Sequence, residues 1–136
     1  MKKILFALFF VNLIAFNSFA QEEIETNQDT KNIPEIYLEN TRHDYGTIEY
    51  NGDGTCDFTF KNTGEEPLLL TSVRASCGCT TPTWPKSPLK KGEERTIVVK
   101  YNTKIKGAFT KTIRVYSNAK SSPVILTITG TVVNPE

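Results

Sequence analysis

The chain of 136 residues has one histidine, one tryptophan, one methionine and three cysteines, so it carries little of the usual catalytic hardware. It also lacks a surplus of either charge. Sixteen Lys and Arg stand against 15 Asp and Glu, a net +1 that becomes −1 once Lys2 and Lys3 depart with the leader described below. Neutralising a phosphate backbone needs a basic excess, so nucleic acid is not an expected partner. No phosphate-binding glycine loop, dinucleotide fingerprint or zinc-protease helix occurs. No Gly-x-Ser-x-Gly elbow is present to present a serine to His43 and Asp44. The turn Asn51-Gly52-Asp53-Gly54 lacks the twelve-residue loop and closing Glu of a calcium site. Beyond residue 20 no apolar run approaches the roughly 20 residues needed to cross a bilayer, and no repeat is visible. These absences point away from an enzyme and toward one small domain.

What the chain does contain begins with a leader. Lys2-Lys3 precedes an apolar run from Ile4 to Phe16, which ends in Ser18-Phe19-Ala20. A basic start, an apolar centre and a small-x-small end define a secretory signal over residues 1–20, with cleavage expected before Gln21. Residues 21–34 are polar and acidic, with Glu22, Glu23, Glu25 and Asp29, and have no apolar periodicity. Such a stretch buries too little surface to offset its ordering entropy and is expected to be a flexible tether. The first cysteine is Cys56, so no lipid anchor is expected at the new N-terminus. The mature protein is expected to be soluble, in the periplasm or outside the cell, where disulfides persist.

Residues 35–136 alternate with period two and favour β-branched and aromatic side chains. Cys56, Phe58 and Phe60 share one face of a run, as do Ile97, Val99 and Tyr101, and Phe109, Ile113 and Val115. Val124, Leu126 and Ile128 alternate with threonines in the last run. Asn51-Gly52-Asp53-Gly54 supplies turn residues for a hairpin. Pro67 opens Leu68-Leu69-Leu70, apolar on both faces and so expected at the centre of a sheet. The proline-rich stretch from Ala75 to Gly92 reads as irregular. The expected fold is an all-β, antiparallel β-sandwich of about seven strands. A free sheet edge would suit strand addition by a partner, whereas Lys104 and Lys106 beside Gly107 suit edge protection.

Several landmarks form one pattern: His43-Asp44-Tyr45-Gly46-Thr47-Ile48, Phe58-Thr59-Phe60-Lys61-Asn62-Thr63-Gly64, Ser76-Cys77-Gly78-Cys79-Thr80 with Pro82 and Trp84, and Val115-Tyr116-Ser117-Asn118. This resembles the exported bacterial domain of unknown function marked by HDFG-T-I and SCGCT motifs and typical of Bacteroidota. Tyr45 stands where that pattern has Phe, and Cys56 lies outside it. The resemblance implies an immunoglobulin-like sandwich akin to Hydin-type and major-sperm-protein-like modules. It implies no activity, because a fold does not specify one.

Cys77-Gly78-Cys79 is the sharpest local chemistry. Two thiols around one glycine can close a small disulfide that is reducible, a redox reading. Two thiolates joined by His43 would instead suit copper(I), or less well zinc, which normally takes four ligands. The plainer reading is structural: two of the three cysteines pair, and the connectivity among Cys56, Cys77 and Cys79 stays open. Cys56 has the parity of Phe58 and Phe60 and is expected in the core, as apolar filler or bridged to the loop. His43-Asp44, placed ahead of a strand, reads as a packed or capping pair, and Trp84, between Pro82 and Pro85, as a plug closing one end of the sandwich or a ligand-stacking ring. The function these features support is an exported, non-catalytic binding or structural module of the periplasm or cell envelope. Its expected partner is a protein or envelope component, and no cofactor is expected. The alternative is a periplasmic thiol-redox or copper-handling protein using the Cys-Gly-Cys loop.

Overall fold

A computed structural model describes residues 32–136; the expected signal over 1–20 and the tether as far as residue 31 lie outside the described residues. Period-two runs fold as eight strands: β1 Ile36–Leu38, β2 Arg42–Glu49, β3 Thr55–Asn62, β4 Leu70–Ala75, β5 Thr80–Thr83, β6 Glu94–Tyr101, β7 Gly107–Ser117 and β8 Val124–Val133. They form two four-stranded sheets, ordered β1-β3-β6-β5 and β2-β8-β7-β4. The fold is an all-β, immunoglobulin-like sandwich, with no helix among the described residues.

The alternation explains the core. Phe58 and Phe60 of β3 and Ile97, Val99 and Tyr101 of β6 face Ile113 and Val115 of β7 and Leu126, Ile128 and Val132 of β8 across the sandwich, all nearly inaccessible. Alternate residues stay at the surface, as period two requires. Asn62, fully buried at the end of β3, continues the core face with a polar side chain. Its amide donates to the carbonyls of Glu66 (2.8 Å) and Leu89 (2.9 Å), and its oxygen accepts from the Gly64 N–H at 3.0 Å. Three connecting-segment groups are thereby satisfied by one side chain, which is why a buried amide is tolerated there.

Four local expectations are corrected. All neighbouring strands are antiparallel except β2, which runs parallel to β8 from Arg42↔Thr127 to Glu49↔Val133. The chain passes from β1 in one sheet to β2 in the other through residues 39–41. The proline-rich stretch holds β5, paired with β6 from Thr80↔Tyr101 to Thr83↔Val98, and Leu89, which bridges to Leu68. The Leu68–Leu70 run is not central, because β4 is an edge strand and Leu68 is buried by the Leu89 bridge instead. His43 and Asp44 lie within β2 rather than ahead of a strand.

The sheet edges are blunted. Strand β1 has 3 residues, and β5 has 4, one of them Pro82. Strand β2 bulges between Asp44 and Thr47, where Gly46 takes a positive φ of 64° and the Asp44 carboxylate accepts from its N–H. Strand β4 slips register between Leu70 and Ser72. Short, bulged and proline-bearing edges resist pairing with a foreign strand. Lys104 and Lys106 take no part in this protection, since they lie in the β6–β7 turn rather than on an edge strand.

Candidate functional site

Three chain-distant loops meet at one end of the sandwich: residues 50–54 between β2 and β3, 76–79 between β4 and β5, and 102–106 between β6 and β7. Each is tied to another through its backbone. The Asn102 N–H donates to the Cys79 carbonyl at 2.8 Å, and the Asn51 N–H donates to the Thr103 carbonyl at 3.1 Å. The buried Thr103 hydroxyl donates to the Gly52 carbonyl at 2.7 Å. Within the 50–54 turn, Asn51 takes a positive φ of 64°, a conformation asparagine tolerates. The Gly54 carbonyl anchors this turn by accepting both the Tyr101 N–H at 2.8 Å and the Tyr45 hydroxyl at 2.7 Å.

The tied loops carry a mixed apolar and basic surface. Tyr50, Ile105 and Val133 are large apolar residues left 40%, 44% and 37% exposed. Tyr50 donates its N–H to the Val133 carbonyl at 2.7 Å, and the Lys106 ammonium stands 5.4 Å above the Tyr50 ring. Two open grooves adjoin across the shared wall Lys100, Tyr101 and Asn102. One, about 480 Å³, continues along Asn51, Gly52 and Lys104; the other, about 280 Å³, continues along Gly78, Cys79 and Thr81. Exposed Lys100, Lys104 and Lys106 give this end a positive lean. Sequence reading did not find this surface, because its members are scattered over three turns. The one local signal is Lys104-Ile105-Lys106, where a large apolar residue sits inside a polar turn.

Of the candidate residues named from sequence, Cys77 and Cys79 lie in this end and Cys56 lies behind it. The Cys77 and Cys79 sulfurs are in direct contact, with their α-carbons 5.3 Å apart. The Cys79 N–H points at the Cys77 sulfur at 3.3 Å, and the Thr80 hydroxyl lies 4.0 Å from Cys77 Sγ and 3.8 Å from Cys79 Sγ. Cys56 is buried on β3 and is not bridged to the loop. Burial pushes its thiol above the ordinary range, against a partial opposing effect of the Tyr45 hydroxyl. Burial likewise holds the Tyr45 phenol far above its usual range, reinforced by the neighbouring Cys56 side chain.

His43 and Trp84 are elsewhere. His43 is on β2, at the opposite edge of its sheet from β4, and packs edge-on against Tyr45 with ring centroids 4.5 Å apart. Three strand spacings of roughly 4.8 Å put it about 14 Å from the strand that leads into the cysteine loop. The copper or zinc set Cys77, Cys79 and His43 is therefore not brought together, and no metal-sized group of three or more His, Cys, Asp or Glu residues occurs among the described residues. Trp84 follows β5, packs half-buried against the core, and lies beneath the Lys86 ammonium; its indole N–H is buried without a hydrogen-bond partner.

A family model described as "Protein of unknown function (DUF1573)" matches residues 36–132. No curated protein matches the sequence. Among solved structures, the chain is similar to a protein of unknown function from Porphyromonas gingivalis W83, with 15% identity and a TM-score of 0.67 over 74% of this chain and 48% of that one. It is also similar to the ASH / PapD-like domain 7 of human CEP192, with 8% identity and a TM-score of 0.65 over 76% and 89% of the two chains. The periplasmic chaperone SfaE matches with 11% identity and a TM-score of 0.50 over 74% and 60%. The chain thus spans about half the length of the Porphyromonas protein. At these identities the likeness is one of fold. No helix among the described residues is long and apolar enough to cross a membrane.

Proposed function

The chain belongs to that family of unknown function, and we propose that it is an exported, non-catalytic binding module of the periplasm or cell envelope. It meets a protein or envelope component through the end built from residues 50–54, 76–79 and 102–106. The observation that carries this reading is the cross-tying of the three loops by Asn102–Cys79, Asn51–Thr103 and Thr103–Gly52 hydrogen bonds beneath an exposed Tyr50, Ile105 and Val133. A surface already ordered in the free protein loses little further entropy on association. Exposed aromatic and aliphatic anchors on such a surface are what a partner's desolvated contact needs. The blunted edges turn the reading away from strand addition, leaving loop-face contact as the mode. Export rests on the leader expected over residues 1–20.

The test is affinity capture from envelope extract by the immobilised mature domain. A partner held by this face is lost at least about tenfold with Ile105→Asp or Tyr50→Ala, as expected when a contact worth roughly 1.4 kcal/mol or more is removed. Tyr37→Ala, on β1, is expected to leave capture unchanged. Capture indifferent to Ile105 and Tyr50 would reject this face.

A further inference from the structure

Within the binding end lies a reactive element, Cys77-Gly78-Cys79, whose chemistry the contact with Tyr50 and Ile105 does not use. We propose that Cys77 and Cys79 form a disulfide that exchanges with a dithiol of an envelope protein, the incoming thiolate attacking Cys79 and displacing Cys77.

The α-carbon separation of 5.3 Å lies within the roughly 4.4–6.8 Å that a disulfide spans. A bridge between residues two apart closes so short a loop that it restricts the unfolded chain little, so it is a poor staple. The core does not depend on it: Cys79 packs against the core only half-buried, Cys77 stays outside it, and Cys56 remains unbridged among the core side chains. Location supplies the reactivity. Cys79 lines the smaller groove with Gly78, Thr81 and Lys100, whereas Cys77 does not. That groove gives a thiolate an approach to Cys79 along a wall that also carries Lys100.

The departing sulfur is the better-supported anion. Cys77 Sγ alone receives a backbone donor, the Cys79 N–H at 3.3 Å, while the Thr80 hydroxyl stands near both sulfurs, 4.0 Å from Cys77 Sγ and 3.8 Å from Cys79 Sγ. N–H and O–H donors favour the charged form of a sulfur and make it a better leaving group. In the first step the partner thiolate forms a bond to Cys79 Sγ, the Cys77–Cys79 bond breaks, and its electron pair leaves on Cys77. In the second step the partner's other thiolate attacks the partner sulfur of the mixed disulfide and releases Cys79 as thiolate. The partner dithiol is oxidised by two electrons, the Cys77–Cys79 disulfide is reduced by two, and the two released thiolates take protons from solvent according to their pKa values.

The experiment uses the mature protein isolated oxidised from the envelope. It is mixed with glutathione, quenched with acid, alkylated and mapped by peptide fragmentation. The expected product carries glutathione on Cys79 and the alkyl group on Cys77, in several-fold excess over the reverse. Thr80→Val, which removes the hydroxyl near both sulfurs, is expected to slow adduct formation several-fold, and Thr80→Ser to restore it. Cys56→Ala does not change it. Cys77 and Cys79 recovered as free thiols from the envelope, no adduct at any glutathione concentration, or an excess of adduct on Cys77 would each overturn the proposal. None of these outcomes bears on capture by Tyr50 and Ile105.

Discussion

The Phe109 ring on β7 lies over Gly130 on β8, in the space where a β-carbon at position 130 would stand 2.8 Å from Phe109 Cζ and 3.1 Å from Tyr45 Cβ. The two residues are direct cross-strand partners, and the same ring stacks on Tyr101 with centroids 3.7 Å apart. One glycine thus lets an aromatic side chain bind both sheets together close behind the contact surface.

Gly130→Ala is therefore expected to destabilise the domain by about 1–3 kcal/mol, the usual cost of forcing an extra methyl into a packed core. Gly78→Ala, where a β-carbon meets nothing within 4 Å, should shift stability by no more than about 0.5 kcal/mol. Urea unfolding of the two variants side by side checks the contrast.

Phe58 and Phe60, 2% and 1% exposed, are the core of β3. Truncating either to alanine should cost about 3–5 kcal/mol. Asn62→Ala should cost about 1–3 kcal/mol, because the buried Leu89 carbonyl loses the amide that satisfies it. Near-zero shifts of the unfolding midpoint for both Phe60→Ala and Asn62→Ala would mean that β3 does not face the core.

Alkaline stability follows from Tyr45 and Cys56. Both groups have folded pKa values raised, chiefly by burial, so folding favours their protonated forms. Below their unfolded values the two states bind protons alike and stability is full. As pH rises past about 8.5 for the thiol and about 10 for the phenol, the unfolded chain ionises first and stability falls. Cys56→Ala is expected to flatten the decline beginning near pH 8.5, and Tyr45→Phe the decline beginning near pH 10. At neutral pH Tyr45→Phe should cost about 0.5–1.5 kcal/mol for the lost bond to Gly54. Thermal midpoints measured from pH 7 to 11 check both slopes.

Much of this fold is written in local alternation. The parity of Cys56, Phe58 and Phe60, and of Ile97, Val99 and Tyr101, names the core face directly, because side chains on a strand must point to opposite sides. What alternation cannot carry is partnership. The parallel pairing of β2 with β8 joins residues about 85 apart in sequence, such as Arg42 and Thr127, and no local pattern encodes it. Strand β5 hides among prolines because its pairing serves β6 rather than its own propensity. Which of the three cysteines meet is not legible in their number, and neither is the distance of His43 from the Cys-Gly-Cys loop, since β8 and β7 lie between β2 and β4. The surface of Tyr50, Ile105 and Val133 was invisible for the same reason: it exists only after the two sheets close.

The central claim is that the end bearing residues 50–54, 76–79 and 102–106 is where a partner binds. Site-specific photo-crosslinking in intact cells tests it, with a photoreactive residue placed in turn at Ile105, Tyr50, Tyr37 and Ile125, all exposed. The account predicts one discrete crosslinked species from positions 105 and 50 and none from 37 or 125. A crosslink from Tyr37 on β1 or Ile125 on β8, with Ile105 and Tyr50 silent, would contradict it.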